Sequence, residues 1–246
     1  MSEDSFRSRI LVESDGILAW NKPAGLATTG RDLKDRQCAQ YRAMQYVGGK
    51  IWALHQLDRD TSGVVLFARK KGLIAQWQKR WNTAAIQKYY IALVHGRLRD
   101  SPMTVDAPLS KARHPGFTKV SVDHHEGKPA VTHLCELSHA PSYSLVLARL
   151  ATGRTHQLRV HLQHVGCPLI GETRYNAIPC GYHDRHALHA LAITTDKPPP
   201  LDIIEAPLAD DLRAPARALN IDLGILSDST IKELSTMLEM GREANS

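Results

Sequence analysis

The chain has 246 residues, 43% of them hydrophobic, and 31 Lys and Arg against 25 Asp and Glu, a net charge of +6. That length and apolar content suit one large domain or two small ones and exclude wholesale disorder, while the basic excess suits a polyanionic partner. No apolar run approaches the roughly 18 residues of a membrane span. The opening segment lacks the apolar stretch of a secretory signal, and Cys38, Cys135, Cys167 and Cys180 form no C-x-x-C pair, so a reducing cytoplasm is expected.

Residues 1–9 read as a tail. Residues 10–23, I-L-V-E-S-D-G-I-L-A-W-N-K-P, place two short apolar runs around Ser14-Asp15-Gly16, which predicts a strand pair closed by a turn. Pro23 ends the pairing, and Lys22-Pro23-Ala24-Gly25-Leu26 leaves the sheet. Polar residues follow, with a helix predicted over 35–47 and stopped by Gly48-Gly49.

Residues 55–70 read H-Q-L-D-R-D-T-S-G-V-V-L-F-A-R-K. Asp, Thr, Ser and Gly build tight turns, and residues 64–68 are strand material. Asp58 and Asp60 therefore sit at the mouth of a strand, on a loop anchored by rigid structure, where catalytic groups tend to lie. An Asp in such a loop most often only bonds its own backbone, so the stretch by itself assigns no role. Calcium is excluded. Asp58, Asp60, Ser62 and Gly63 match the first, third, fifth and sixth places of an EF-hand loop, but the twelfth, which should be Glu, is Arg69, and a strand follows instead of a helix.

Leu73, Ile74, Trp77 and Trp81 mark one face of a helix, with both Trp residues read as core. Residues 87–98, Q-K-Y-Y-I-A-L-V-H-G-R-L, predict a strand in which Tyr90 on its own reads as a half-buried tyrosine. Residues 100–125 form a Pro- and basic-rich connection carrying Lys111, Arg113, His114 and Lys119, either solvated or facing a polyanion. Residues 131–137 and 143–150 alternate apolar and polar and predict a hairpin. In A-T-G-R-T-H-Q-L-R-V-H-L-Q-H-V-G-C-P-L-I-G-E, residues 151–172, Thr155 is placed to cap a helix striped by Leu158, Leu162 and Val165 and ended by Gly166. Arg154 lies in its entry loop and Arg159 in its first turns, where an arginine on its own reads as exposed. A strand over 191–195, a Pro-rich turn and a terminal helix over 228–239 complete the chain. His156, His161 and His164, and His183, His186 and His189, match neither H-E-x-x-H nor a Cys/His finger, so no metal is expected.

H-x-L-D-x-x-T-S-G resembles the signature of the RluA-type pseudouridine synthases, enzymes that isomerise uridine in RNA. The resemblance continues through K-P-A-G-L at 22–26 and K-x-Y-x-x-x-V-x-G, carried by Lys88, Tyr90, Val94 and Gly96. It extends to G-R-T-H-Q-L-R-V-H-L followed by G-x-P-L-x-G, and to R-x-x-L-H-A at 185–190, covering residues 10–213 in all. It implies an α+β fold with a mixed, mainly antiparallel sheet, flanking helices and a central active-site cleft. A catalytic domain over 10–213 would be followed by a C-terminal extension with a helix over 214–246, and no S4-type RNA-binding domain is expected ahead of it.

The same resemblance implies Asp58 as the catalytic carboxylate, Arg159 as its cationic partner and Tyr90 as the platform that stacks on the target base. His55, Gln56, Arg59, Thr61, Arg154 and His156 would contact the RNA. Most relatives carry H-R-L-D, so Gln56 is a departure from the pattern. Isomerisation breaks the N1–C1′ bond and rejoins the ring through C5. The carboxylate could attack C1′, abstract a sugar proton or add to the ring. An attacking or abstracting carboxylate must be ionised, which a guanidinium favours, and the base must first leave the RNA stack. The expected partner is rRNA or tRNA, with no cofactor because nothing is oxidised or reduced, no membrane, and a monomeric state. An alternative of another class is a non-catalytic RNA-binding protein on the same fold, which differs in what Asp58 does. A metal-dependent hydrolase would need a ligand cluster that the sequence lacks.

Overall fold

A computed structural model describes residues 3–32, 35–81, 83–114, 117–175, 178, 183–196, 203–228 and 231–243. Cys180 and the Pro-rich turn at 197–200 lie outside the described residues, as do the side chains of Arg113 and His114. In chain order the elements are α1 (Glu3–Arg7), β1 (Ile10–Ser14), β2 (Ile17–Lys22), α2 (Ala39–Val47), β3 (Trp52–Ala53), β4 (Ser62–Ala68), α3 (Lys71–Arg80), β5 (Ile86–His95), β6 (Met103–Asp106), β7 (Leu109–His114), β8 (Phe117–Val122), β9 (Val131–Ala140), β10 (Tyr143–Leu150), α4 (Gln157–His164), β11 (Leu188–Thr195), β12 (Ile203–Glu205), α5 (Asp210–Ala218), α6 (Ile225–Asp228) and α7 (Ile231–Glu243). The strands pair mainly antiparallel and helices accompany them, an α+β fold. The chain divides into two compact units, residues 1–88 with 189–209 and residues 89–188 with 210–246.

The first unit begins with the expected hairpin. Asp15 and Gly16 have φ of 49° and 84°, the two positive values that a tight two-residue turn between twisted strands requires. β2 then runs antiparallel to β4, from Ile17↔Ala68 to Lys22↔Gly63. Every residue of β4 is buried, which is why Val-Val-Leu-Phe-Ala reads as a continuous apolar run and does not alternate. β11 joins β4 in parallel at His189↔Ser62 and Ala190↔Gly63, and β12 pairs with β11. Ile17, Val64, Leu66, Trp77, Ile86 and Ile193 form the core, with Trp81 packed against it, so both tryptophans of the α3 region serve packing. The tail is structured. Phe6 of α1 stacks on Trp20, ring centroids 4.4 Å apart, and its carbonyl accepts from the Trp20 indole.

Helix α2 starts later than the predicted residue 35. The Asp35 carboxylate accepts from the backbone N–H groups of Arg31 and Gln37, which holds a turn there, and these bonds lower its pKa. The helix instead begins after Cys38, whose sulfur accepts from Tyr41 N–H, and ends at Gly48 with φ 64°.

In the second unit β10 lies between β5 and β9, and β6 extends the arrangement along β9. The connection read over 100–125 contains β6 and the two-stranded ribbon β7–β8. Its basic side chains hid an alternation whose inward members, Leu109 and Val120, pack with Ala130 and Val160. The last helix begins at Ile231, after the short α6, and buries Ile231, Leu234 and Leu238. Among the described residues no helix is long and apolar enough to cross a membrane.

Candidate active site

Asp58 is half-buried on the loop between β3 and β4, and the bonds that hold this loop converge on its immediate neighbours. Leu57 is clamped by the buried Thr28 hydroxyl, which accepts from Leu57 N–H and donates to Leu57 O, each at 3.0 Å. The Arg59 carbonyl accepts from Lys22 Nζ at 3.0 Å. Lys22 is fully buried, and its ammonium also donates to the carbonyls of Pro23 and Leu26, so K-P-A-G-L wraps one cation and ties it to the Asp58 loop. The Arg59 guanidinium donates to Gly25 O, and the Asp58 carbonyl accepts from Thr61 N–H at 3.1 Å, closing the turn. Gln56 and Arg59 are exposed, whereas Thr61 is buried.

His55 is engaged by the protein itself. Its Nε2 accepts from Leu66 N–H at 3.1 Å, and its ring stacks on Trp81 with centroids 4.5 Å apart. Burial, and then the nearby Lys88 ammonium, push its pKa down to about 3, so the ring is a neutral acceptor. Lys88 donates to Trp81 O at 3.0 Å and lies over that indole, and burial lowers its own pKa to about 8.

The end of the motif locks onto R-x-x-L-H-A. Ser62 Oγ is 2.9 Å from His189 Nδ1, and His189 Nε2 is 3.4 Å from Ala206 O. If Nε2 carries the proton and donates to that carbonyl, Nδ1 accepts from the serine hydroxyl. At Gly63, with φ 109°, a Cβ would lie 2.1 Å from Ala190 O, so only glycine permits this approach.

In the second unit the residues of the third motif gather around α4. Gln157, buried, donates to Val131 O and Thr132 Oγ1 and accepts from Arg154 N–H and the Thr152 hydroxyl, which fixes the A-T-G-R-T loop. The predicted Thr155 cap is not used. His156 precedes the helix at φ 54° with no side-chain cap bond, and the Thr155 hydroxyl accepts from Lys111 Nζ instead. The helix ends at Gly166, φ 77°, as expected. Arg154 is exposed and donates from Nε to Pro129 O, and Tyr90 is 9% exposed on β5, paired with Ala148.

Arg159 is not an exposed helical arginine. Its side chain is 8% exposed, and its Nε and Nη2 donate to the two carboxylate oxygens of Glu172 at 2.6 and 2.8 Å. Its guanidinium also lies over the Tyr175 ring, 5.2 Å from the centroid, and the Tyr175 hydroxyl bonds His156 Nδ1. Burial opposes ionisation of Glu172, but the bonds from Arg159 and from the Arg174 and Tyr175 backbone outweigh it and hold its pKa low. The sequence reading assigned no role to Thr28, Lys22, Ser62, His189 or Glu172. Their signal was membership of the quoted motifs; what each touches was not encoded locally. Among the described residues no group of His, Cys, Asp and Glu could hold a metal ion.

Residues 16–164 match the family described as RNA pseudouridylate synthase. The chain is 34% identical over 220 residues to a ribosomal large subunit pseudouridine synthase C of Vibrio vulnificus (strain CMCP6), covering 85% of this chain and 69% of that protein. It is 36% identical over 214 residues to an uncharacterized RNA pseudouridine synthase of Bacillus subtilis (strain 168), covering 83% and 70%. The fold is similar to that of human RNA Pseudouridylate Synthase Domain Containing 4, with a TM-score of 0.73 at 23% identity over 90% of this chain and 96% of that one.

Proposed function

Because this chain belongs to the RNA pseudouridylate synthase family, we propose that it isomerises a specific uridine in rRNA or tRNA, with Asp58 as the catalytic carboxylate. The observation that carries this reading is the rigid seating of the Asp58 loop, where both flanking residues are pinned, Leu57 by Thr28 and Arg59 by Lys22. A carboxylate that must meet one carbon of a flipped nucleotide gains from such preorganisation. The names of relatives from ribosomal large subunit modification favour rRNA as the substrate class.

The reaction is balanced without any cofactor. The N1–C1′ bond breaks, C5–C1′ forms, the C5 hydrogen leaves as a proton, and N1 takes one up. Arg159 supplies positive charge to the reacting carboxylate, and Tyr90 offers its ring to the uracil. Exposed Gln56, Arg59 and Arg154 are available to the RNA, with Thr61 shaping the loop. His55 holds the loop to β4 as a neutral acceptor, and His156 bears on Tyr175.

The test follows the proton that leaves C5. Cellular RNA tritiated at uracil C5 should release tritium to water with the wild-type protein. Asp58→Asn should abolish release at unchanged RNA affinity. Turnover by the variant within about tenfold of wild type would remove Asp58 from catalysis. A wild-type protein that binds RNA but releases nothing would support the non-catalytic alternative.

A further inference from the structure

We propose that Glu172 is a positioning residue for the isomerisation, holding the Arg159 guanidinium in the one orientation from which it serves the reacting carboxylate. This rests on the proposed function. Three observations support it. Glu172 is buried, with its side chain 1% exposed, and both oxygens engage a single edge of Arg159, Nε and Nη2. That fork fixes the plane of the guanidinium and directs Nη1, which the fork does not engage, away from Glu172. The face is fixed separately by Tyr175, whose own hydroxyl is anchored on His156.

The carboxylate is itself seated on rigid backbone. Gly171, φ 72°, presses against Arg185, where a Cβ would lie 2.1 Å from the carbonyl oxygen. Glu172 N–H donates to Leu169 O, and Glu172 Oε1 also accepts from Arg174 N–H at 2.8 Å. A carboxylate that only neutralised a buried arginine would not need its backbone, its second oxygen and the far face of its partner all constrained. Such seating has a use when the direction of the cation matters, because small errors in the placement of a catalytic charge cost large factors in rate.

The experiment is a double-mutant cycle read in kcat, KM and RNA affinity by tritium release and RNA binding, with Glu172→Gln, Arg159→Gln and the double variant. Glu172→Gln should lower kcat on the order of 10- to 100-fold with KM and RNA affinity unchanged. If Glu172 acts through Arg159, adding Glu172→Gln to Arg159→Gln should cost less than about twofold more. A kcat for Glu172→Gln near wild type, or losses that multiply in the double variant, would overturn the proposal. Glu172→Asp keeps the charge and shortens the reach by one methylene, which keeps the test open if Glu172→Gln fails to fold. It should fold, show the same kcat loss at constant KM, and refute the idea if it turns over at the wild-type rate. A wild-type protein that isomerises no uridine would sink the proposed function, and this inference with it; an active wild type with additive variants would sink this inference alone.

Discussion

Two acidic residues two positions apart illustrate how far residue identity goes. Asp58 and Asp60 are both half-buried on the same loop, yet the bonds to Leu57 and Arg59 surround the first. Asp60→Asn should therefore cost far less tritium release than Asp58→Asn, and equal losses would show that the loop, not one carboxylate, is being measured. Gln56 is exposed beside Asp58, where most relatives carry arginine. Arginine adds a permanent charge, a planar fork and a stacking face that glutamine lacks. Gln56→Arg should tighten RNA binding at low salt and steepen the slope of log affinity against log salt by roughly 0.7 to 0.9 if one phosphate is neutralised. Parallel lines at equal affinity would show that position 56 does not reach the RNA.

At the scale of elements, the Asp58 loop depends on one buried cation and one glycine. Lys22→Met would leave the carbonyls of Pro23, Leu26 and Arg59 without that donor, while sparing the cost of burying a charge. A net loss of about 2–4 kcal/mol is expected in urea unfolding. Gly63→Ala would meet Ala190 O at 2.1 Å and force β4 and β11 apart, so its destabilisation should exceed about 3 kcal/mol. Wild-type stability in either variant would contradict the geometry of the loop. α4 teaches the same lesson from the other side. Its stripe and its glycine stop were legible, but its start was set by the Gln157 amide bonding Arg154 N–H and Val131 O, not by the nearest hydroxyl.

For the whole molecule, pH is the simplest global probe. His55 titrates near 6.5 when unfolded and about 3 when folded, so between these values only the unfolded chain holds the proton. Stability must fall as pH drops through that window. Glu172, held below its ordinary value when folded, adds a loss in the same direction at lower pH. Lys88, lowered to about 8, makes stability rise with pH between about 8 and 10.5, because there the unfolded chain retains a proton that the folded one has released. Urea midpoints should therefore fall from pH 7 to pH 5, and His55→Gln should flatten that fall. A midpoint independent of pH in wild type would show that His55 is not held neutral.

The sequence by itself determined what short-range physics governs. The Asp15-Gly16 hairpin, the all-apolar β4, the α3 stripe, the β9–β10 hairpin and the Gly166 stop all follow from turn chemistry and periodicity within a few residues. Family resemblance added the list of site residues, Asp58, Arg159 and Tyr90 among them. Tertiary structure alone decided which groups meet. Ser62 and His189 are 127 positions apart, Thr28 and Leu57 29 apart, Lys22 and Arg59 37 apart, and no local pattern specifies such pairs. Arg159 and Glu172 are only 13 apart, yet a helix end and a turn separate them, so burial as a forked pair could not be read from either residue. Polar side chains buried by long-range register leave no hydrophobic period behind them. Lys22, the most enclosed charge near the catalytic loop, therefore gave no local sign of its burial.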